Sequence, residues 1–220
     1  MIVGHSVRHT GGMADVVIHP MSRDRWDDLV GLFGTRGAPS WCWCQYFLTT
    51  GRSYERSAQD NMADLRAQVT SAETPAGLIA YAAEGVADAG DGHEGPAEGT
   101  GVGWVQVGPR TRFPRITTSR DMPKVVDDLG DESVWAVTCF VVKVGWRRRG
   151  IGAQLLDAAV QLARSSGASA VVGHPVDVAA RTIRVGGSDL YHGAASTFAR
   201  AGFHEVGRTG ATRPVMRLDL

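Results

Sequence analysis

The sequence predicts a mixed α/β fold, in which a strongly twisted, mostly antiparallel sheet is flanked by helices. Three observations predict it. Residues Val134 to Ser166 read as strand, basic glycine-rich turn and amphipathic helix in immediate succession. Upstream, a short strand-like run precedes two helical stretches and then a pair of strand-like runs separated by a long loop. Downstream, the chain closes on a compact helix followed by two more strand-like runs.

Residues 1–12, MIVGHSVRHTGG, hold no apolar core of the signal-peptide kind and read as a disordered extension, with a single domain over 13–220. Val16 to His19 forms a first strand. Ser22 is placed to cap a helix whose apolar face is Trp26, Leu29, Val30 and Phe33. Gly34 to Ser40 breaks that helix, and Trp41 to Phe47 forms an aromatic cluster that suits either core or the wall of a substrate pocket. Ser53 to Ser71 reads as a second helix with Ala58, Met62, Leu65 and Val69 on one face, closed by Pro75. Ala76 to Glu84 and Val102 to Val107 are strand-like, and the intervening residues 85–99 are rich in glycine and acid but lack calcium-loop spacing.

Arg110, Arg112 and Arg115 surround Phe113, a pattern that fits solvated surface or contact with an anion. Asp121 to Asp131 is a short helix or loop. Ala168 to Gly173 is a further strand and Arg181 to Leu190 is loop-like. Tyr191 to Ala201 contains a helix, and Phe203 to Val206 and Pro214 to Leu218 are the last strands.

The central stretch carries the chemistry. Val134 to Val144 is apolar, β-branched and aromatic, as a buried strand requires. Gly145-Trp-Arg-Arg-Arg-Gly-Ile-Gly152 follows, and Ile151, Leu155, Ala159 and Leu162 then recur at helical spacing. The first turn of a helix offers unpaired N–H groups and positive dipole charge. Gly150 and Gly152 remove the Cβ atoms that would hold a ligand away, so a phosphate or pyrophosphate is the natural guest. The dinucleotide fingerprint fails because Leu155 stands at its third glycine, and no lysine–hydroxyl pair completes a P-loop.

Arg147-x-x-Gly150-x-Gly152-Ala153 after an apolar strand does resemble the acyl-coenzyme A signature of the GCN5-related N-acetyltransferase (GNAT) superfamily. Phe198-Ala-Arg-Ala-Gly-Phe203 is similar to that superfamily's last helix and following strand. The resemblance implies that the two central strands splay apart near Val142 and Gly173. It also implies that acetyl-coenzyme A is co-substrate. Phe140, Val141 and Val142 would pair with its pantetheine, and Arg147, Arg148, Arg149, Gly150, Ile151, Gly152 and Ala153 would surround its pyrophosphate.

The implied activity is N-acetyl transfer to a primary amine, of a small molecule or of a protein lysine, with no covalent enzyme intermediate. The family's usual acid, a tyrosine, falls here on Ala199, which has no proton to give. Tyr191 and Ser196 are the alternative acids, and His174, Asp177, His192 and Glu132 are candidates for base or acceptor binding, with His174 favoured. Cys139 reads as a core thiol rather than a nucleophile. The other reading is a non-catalytic module that binds acyl-coenzyme A as a signal.

Composition narrows the classes. Twenty-three basic residues balance twenty-three acidic ones, and 43% of the chain is hydrophobic. A cytoplasmic globular protein is expected, with no nucleic-acid or membrane partner. Three cysteines, Cys42, Cys44 and Cys139, read as free thiols and provide no metal site. The superfamily resemblance leaves a homodimer open.

Overall fold

The computed structural model describes residues 14–51, 56–71, 74–83, 100–181 and 187–220. The expected extension at 1–12 and the whole of the 85–99 loop lie outside these residues. Seven strands form one sheet in the order β1-β2-β3-β4-β5-β7-β6. They are β1 (Val16–Pro20), β2 (Gly77–Ala82), β3 (Gly101–Pro109), β4 (Val134–Val142), β5 (Ala170–Gly173), β6 (His204–Gly210) and β7 (Arg213–Asp219). Only β4 and β5 pair in parallel; the other neighbours are antiparallel. The helices are α1 (Trp26–Phe33), α2 (Ala38–Cys42), α3 (Ala58–Ser71), α4 (Pro114–Thr117), α5 (Ile151–Ser165) and α6 (Ala195–Arg200).

The parallel pair needs a crossover, and α5 supplies it. Its buried face is Ile151, Leu155, Leu156, Ala159, Val160 and Ala163, while Leu162 is only half-buried. A Cβ on Gly103 of β3 would stand 2.9 Å from Ile151 Cγ2, so the glycine lets the helix lie directly on the sheet. Val105, Trp135, Val137 and Phe140 complete this side of the core. On the other side, α1 and α3 bring Leu29, Phe33 and Leu65 to Ile79, Trp104 and Val141. Further along that side, Phe113, Ile116 and Met122 pack with Val134, Ala136 and Val172.

Several boundaries differ from the sequence reading. The first helix begins as a 3-10 turn at Arg23–Arg25, and Ser22 makes no side-chain cap bond. Helix α3 starts at Ala58. Ser57 Oγ accepts the Asp60 N–H at 3.0 Å while Asp60 takes the Ser57 N–H, a reciprocal cap. Asn61 is fully buried on this helix because its amide donates to the Trp41 carbonyl at 2.9 Å. Gly187–His192 is a 3-10 helix, so Tyr191 lies in it rather than at the start of α6. Arg110 is not surface: it is fully buried and paired with Asp128 at 2.8 Å.

Candidate active site

Strand β4 is nine residues long, but only Val134–Val137 pair with β5. Its register against β3 also slips: Val107 faces Val137 and Gln106 faces Cys139, leaving Thr138 as an extra residue. This bulge bends the strand away from β5 and shifts the alternation of its side chains. Trp135, Val137 and Phe140 therefore all join the α5 side of the core. Thr138 is held by its hydroxyl, which donates to Gln106 Oε1 at 2.8 Å in the buried interior.

Beyond the bulge the β5-facing edge of β4 has no strand partner among the described residues. Lys143 N–H bonds Val102 on β3 at 3.0 Å. By strand alternation the backbone groups of Phe140 and Val142 point to the opposite, parted edge. Arg147 Nε donates to the Val142 carbonyl at 3.2 Å, tying the arginine of the R-x-x-G-x-G signature to the end of this edge.

The turn that follows is pinned by Trp146, which is fully buried with the Arg149 guanidinium 4.9 Å from its ring centre. Arg148 and Gly150 take left-handed conformations, φ 63° and 78°. Helical bonding in α5 opens at the Gly150 carbonyl, which accepts from Ala153 and Gln154 at 3.0 and 3.1 Å. A Cβ built on Gly152 meets nothing within 4 Å, so the glycine faces open space beside the helix N-terminus. Such a cradle suits a pyrophosphate, and together with the parted β4 edge it fits a coenzyme A.

On the other side of the sheet a cavity of about 240 Å³ opens where the strands part. Phe47, Arg115, His174, His192 and Arg213 line it. His192 Nδ1 is 3.2 Å from the Thr138 carbonyl. A carbonyl only accepts, so Nδ1 carries the proton and Nε2 keeps its lone pair. Burial, with Arg213 nearby, lowers this imidazole to about 4. His174 follows Gly173 directly; burial, with His192, Arg110 and Arg213 nearby, lowers it likewise to about 4. Its Nε2 is shielded and has no hydrogen-bond partner. Both rings are neutral near pH 7.

Tyr191 is half-buried against the core cluster that contains Trp104 and Val141. Burial raises its hydroxyl above the ordinary tyrosine range, although the charge of Arg147 opposes the shift. Cys139 Sγ lies 3.0 Å from Cys44 Sγ, and the Cys44 thiol is pushed well up by burial and by its partner. The sequence reading did not anticipate this contact, because the two residues are far apart along the chain.

The remaining candidates are dispersed. Ser196 is exposed on α6 and, like Tyr191, is not among the described residues that line the cavity. Phe198 fills the inward face of that helix, fitted against Gly173 and Gly193. Asp177 pairs with Arg208 at 2.9 Å and caps the Ala180 N–H, a structural role. Glu132 is exposed at the opposite end of β4 from the parted edge. The aromatic cluster divides: Trp43 stacks with Trp26 and Phe33 in the core, whereas Tyr46 and Phe47 form the cavity wall.

Comparison with known proteins agrees with this geometry. The model of the Acetyltransferase (GNAT) family matches residues 92–184, which contain β3, β4, α5 and β5. No curated protein matches the sequence. Among solved structures, the GNAT domain of S. lividans PAT superposes with a TM-score of 0.53 at 15% identity, covering 93% of this chain and 90% of that one. A GNAT-family acetyltransferase from Listeria monocytogenes gives 0.54 at 11% identity, covering 97% and 99%. The aminoglycoside acetyltransferase AAC(6')-Ib, solved with coenzyme A, gives 0.50 at 14% identity, covering 93% and 94%. With the signature turn, the bulged strand and the parted parallel pair, these likenesses show that the chain has the fold of the GCN5-related N-acetyltransferases.

Proposed function

We propose that this protein is an N-acetyltransferase that moves an acetyl group from acetyl-coenzyme A directly to a primary amine of a small molecule or a protein lysine. The observation that carries this reading is the parted β4 edge, with the glycine cradle of α5 at one end and the neutral His192 at the other. Coenzyme A as donor is supported by the match to the acetyltransferase family and by the coenzyme bound to the similarly folded AAC(6')-Ib.

The geometry supports the following roles. The backbone groups of Phe140 and Val142, with Val141 between them, lie where the pantetheine would run beside β4. The N–H groups from Arg147 through Gly152 would cradle the pyrophosphate, with the Ala153 N–H taken by the Gly150 carbonyl. An amine in the cavity attacks the thioester carbonyl once it is neutral. His192 Nε2 accepts the proton that the amine loses, either directly or through one water. His174, neutral and beside it, lines the same wall, but its shielded Nε2 leaves His192 as the acceptor. The Tyr191 hydroxyl, kept protonated by its burial, donates to the departing thiolate. Ala199, at the family's usual tyrosine position, is exposed and has no proton to give, which leaves this task to Tyr191. Direct attack needs no enzyme nucleophile.

The test is release of free thiol from acetyl-coenzyme A with a mixed panel of amines and lysine peptides, with coenzyme binding followed separately. Turnover by the wild type that drops in Tyr191→Phe without loss of coenzyme affinity supports the reading. Tight coenzyme binding with no thiol released from any acceptor would sink it in favour of a sensor module.

A further inference from the structure

All three cysteines of the chain gather at one place, although Cys139 is far from the other two in sequence. Cys44 donates its S–H to Cys139 Sγ at 3.0 Å, and Cys42 lies near enough for Cys44 to act on its thiol. Cys44 is buried, whereas Cys42 and Cys139 are half-buried. We propose that Cys44 and Cys139 are a reversible oxidation site, closed to a disulfide by a hydroperoxide, and that the bond locks the Trp41–Phe47 segment against β4. Neither thiol takes part in the proposed acetyl transfer, so oxidation of this pair is independent of that reaction.

The backbone around Cys44 is held in an uncommon shape. Trp43 and Cys44 are both left-handed, at φ 45° and 52°, a region that residues with side chains rarely enter. The Trp43 ring is stacked on Trp26 and tilted against Phe33 in the core, and its carbonyl accepts the Gln45 side-chain amide at 3.1 Å. These contacts fix the turn so that the Cys44 sulfur meets β4. Cys139 directly follows the bulge residue Thr138, whose carbonyl orients His192. Tyr46 and Phe47, just beyond Cys44, line the cavity. A covalent bond here therefore joins one wall of the cavity to the strand that positions its histidine.

Burial and its partner push the Cys44 thiol well up, so it stays protonated, and the half-buried Cys139 meets the oxidant first. The Cys139 sulfur attacks the terminal oxygen of the hydroperoxide. An S–O bond forms, the O–O bond breaks, the thiol proton leaves with the departing alcohol or water, and Cys139 becomes a sulfenic acid. Cys44 Sγ then attacks Cys139 Sγ. The S–S bond forms as the S–O bond breaks, and hydroxide leaves with the Cys44 proton as water. The pair of thiols loses two electrons and two protons, which the hydroperoxide takes up, and a small dithiol reverses the change by exchange.

Hydrogen peroxide is the probe and dithiothreitol the reductant, with free thiols counted after denaturation and linked peptides mapped by mass spectrometry. The wild type should fall from three free thiols to one, with a peptide containing Cys44 joined to one containing Cys139, and should recover all three with dithiothreitol. Cys42→Ser should close equally well and lose both of its thiols, whereas Cys139→Ser and Cys44→Ala should each keep both of theirs. The wild-type map needs no variant, so misfolding of a mutant cannot decide the outcome. Side-chain resonances of His192 should shift on closure and return on reduction. Survival of all three thiols in peroxide that oxidises the urea-unfolded chain would overturn the site, as would a bond through Cys42 or conversion to sulfinic acid with no bond. Closure that leaves the His192 resonances unmoved would overturn its hold on the cavity.

Discussion

At the scale of single residues, the proposed reaction divides the proton traffic between His192 and Tyr191. The carbonyl of the bulge residue Thr138 fixes which imidazole nitrogen is protonated, and burial keeps the ring neutral. His192→Gln should therefore lower kcat/KM by about 10²-fold, the usual worth of one positioned proton acceptor, while coenzyme affinity stays constant. Tyr191→Phe should lower kcat by a similar factor of about 10², because the thiolate must then take its proton from water. Steady-state kinetics beside a coenzyme titration checks both, and a parallel loss of coenzyme binding would reassign either residue to packing. The histidine was legible in the sequence only as one of several. Nothing in the order Tyr191-His192 says that a carbonyl from β4 will orient the ring.

At the scale of elements, two glycines do different work. Gly152 faces open space at the start of α5, so Gly152→Val should leave the thermal midpoint nearly unchanged yet weaken coenzyme binding by roughly tenfold. Gly173 ends β5, and a Cβ there would stand 2.2 Å from Phe198 Cε1. Because this ring is fully buried against Phe140 and Phe203, it has little room to move. Gly173→Ala should cost about 2 kcal/mol in urea denaturation, an overpacking penalty. A stability loss at Gly152, or none at Gly173, would contradict these roles. The strand–turn–helix unit was readable from residues 134–166, since local periodicity and glycine spacing encode it. The 3-10 turn Gly187–His192 was not, because its course follows from packing against β4.

For the whole molecule, an ion cluster around the buried Arg110 ties distant parts of the chain together. Arg110 has no solvent exposure, and Asp128 pairs with it and with Arg217 at 2.8 and 2.7 Å. Burial alone would raise the Asp128 carboxyl, but hydrogen bonds from Arg217 and Arg110 outweigh it and hold it below its ordinary range. Asp128→Asn leaves Arg110 buried without a counter-charge and should cost about 3 kcal/mol. Acid should destabilise the fold for two reasons. His174 and His192 titrate near 4 in the fold but near 6.5 when unfolded, so between those values the unfolded chain holds more protons. Stability then rises with pH from about 4 to about 6.5 and levels off above. The lowered Asp128 carboxyl adds stability that is fully present above its unfolded value and is lost as pH falls through its folded one. Urea midpoints across this range test the sign; a flat profile would remove the histidines from a shielded site.

The sequence by itself determined the fold class, the order of most elements, and the glycine cradle, because hydrophobic period and helix-terminus chemistry act over a few residues. The tertiary structure alone decided which distant groups meet. It buried Arg110, which the sequence alone placed on a solvated surface or against an anion, and paired it with Asp128. It split the Trp41–Phe47 cluster between core and cavity wall, set Cys44 against Cys139, and brought His174, His192, Arg115 and Arg213 around one opening. These contacts depend on how β4 bulges at Thr138 and parts from β5, and no local pattern of residues specifies the space that this parting leaves.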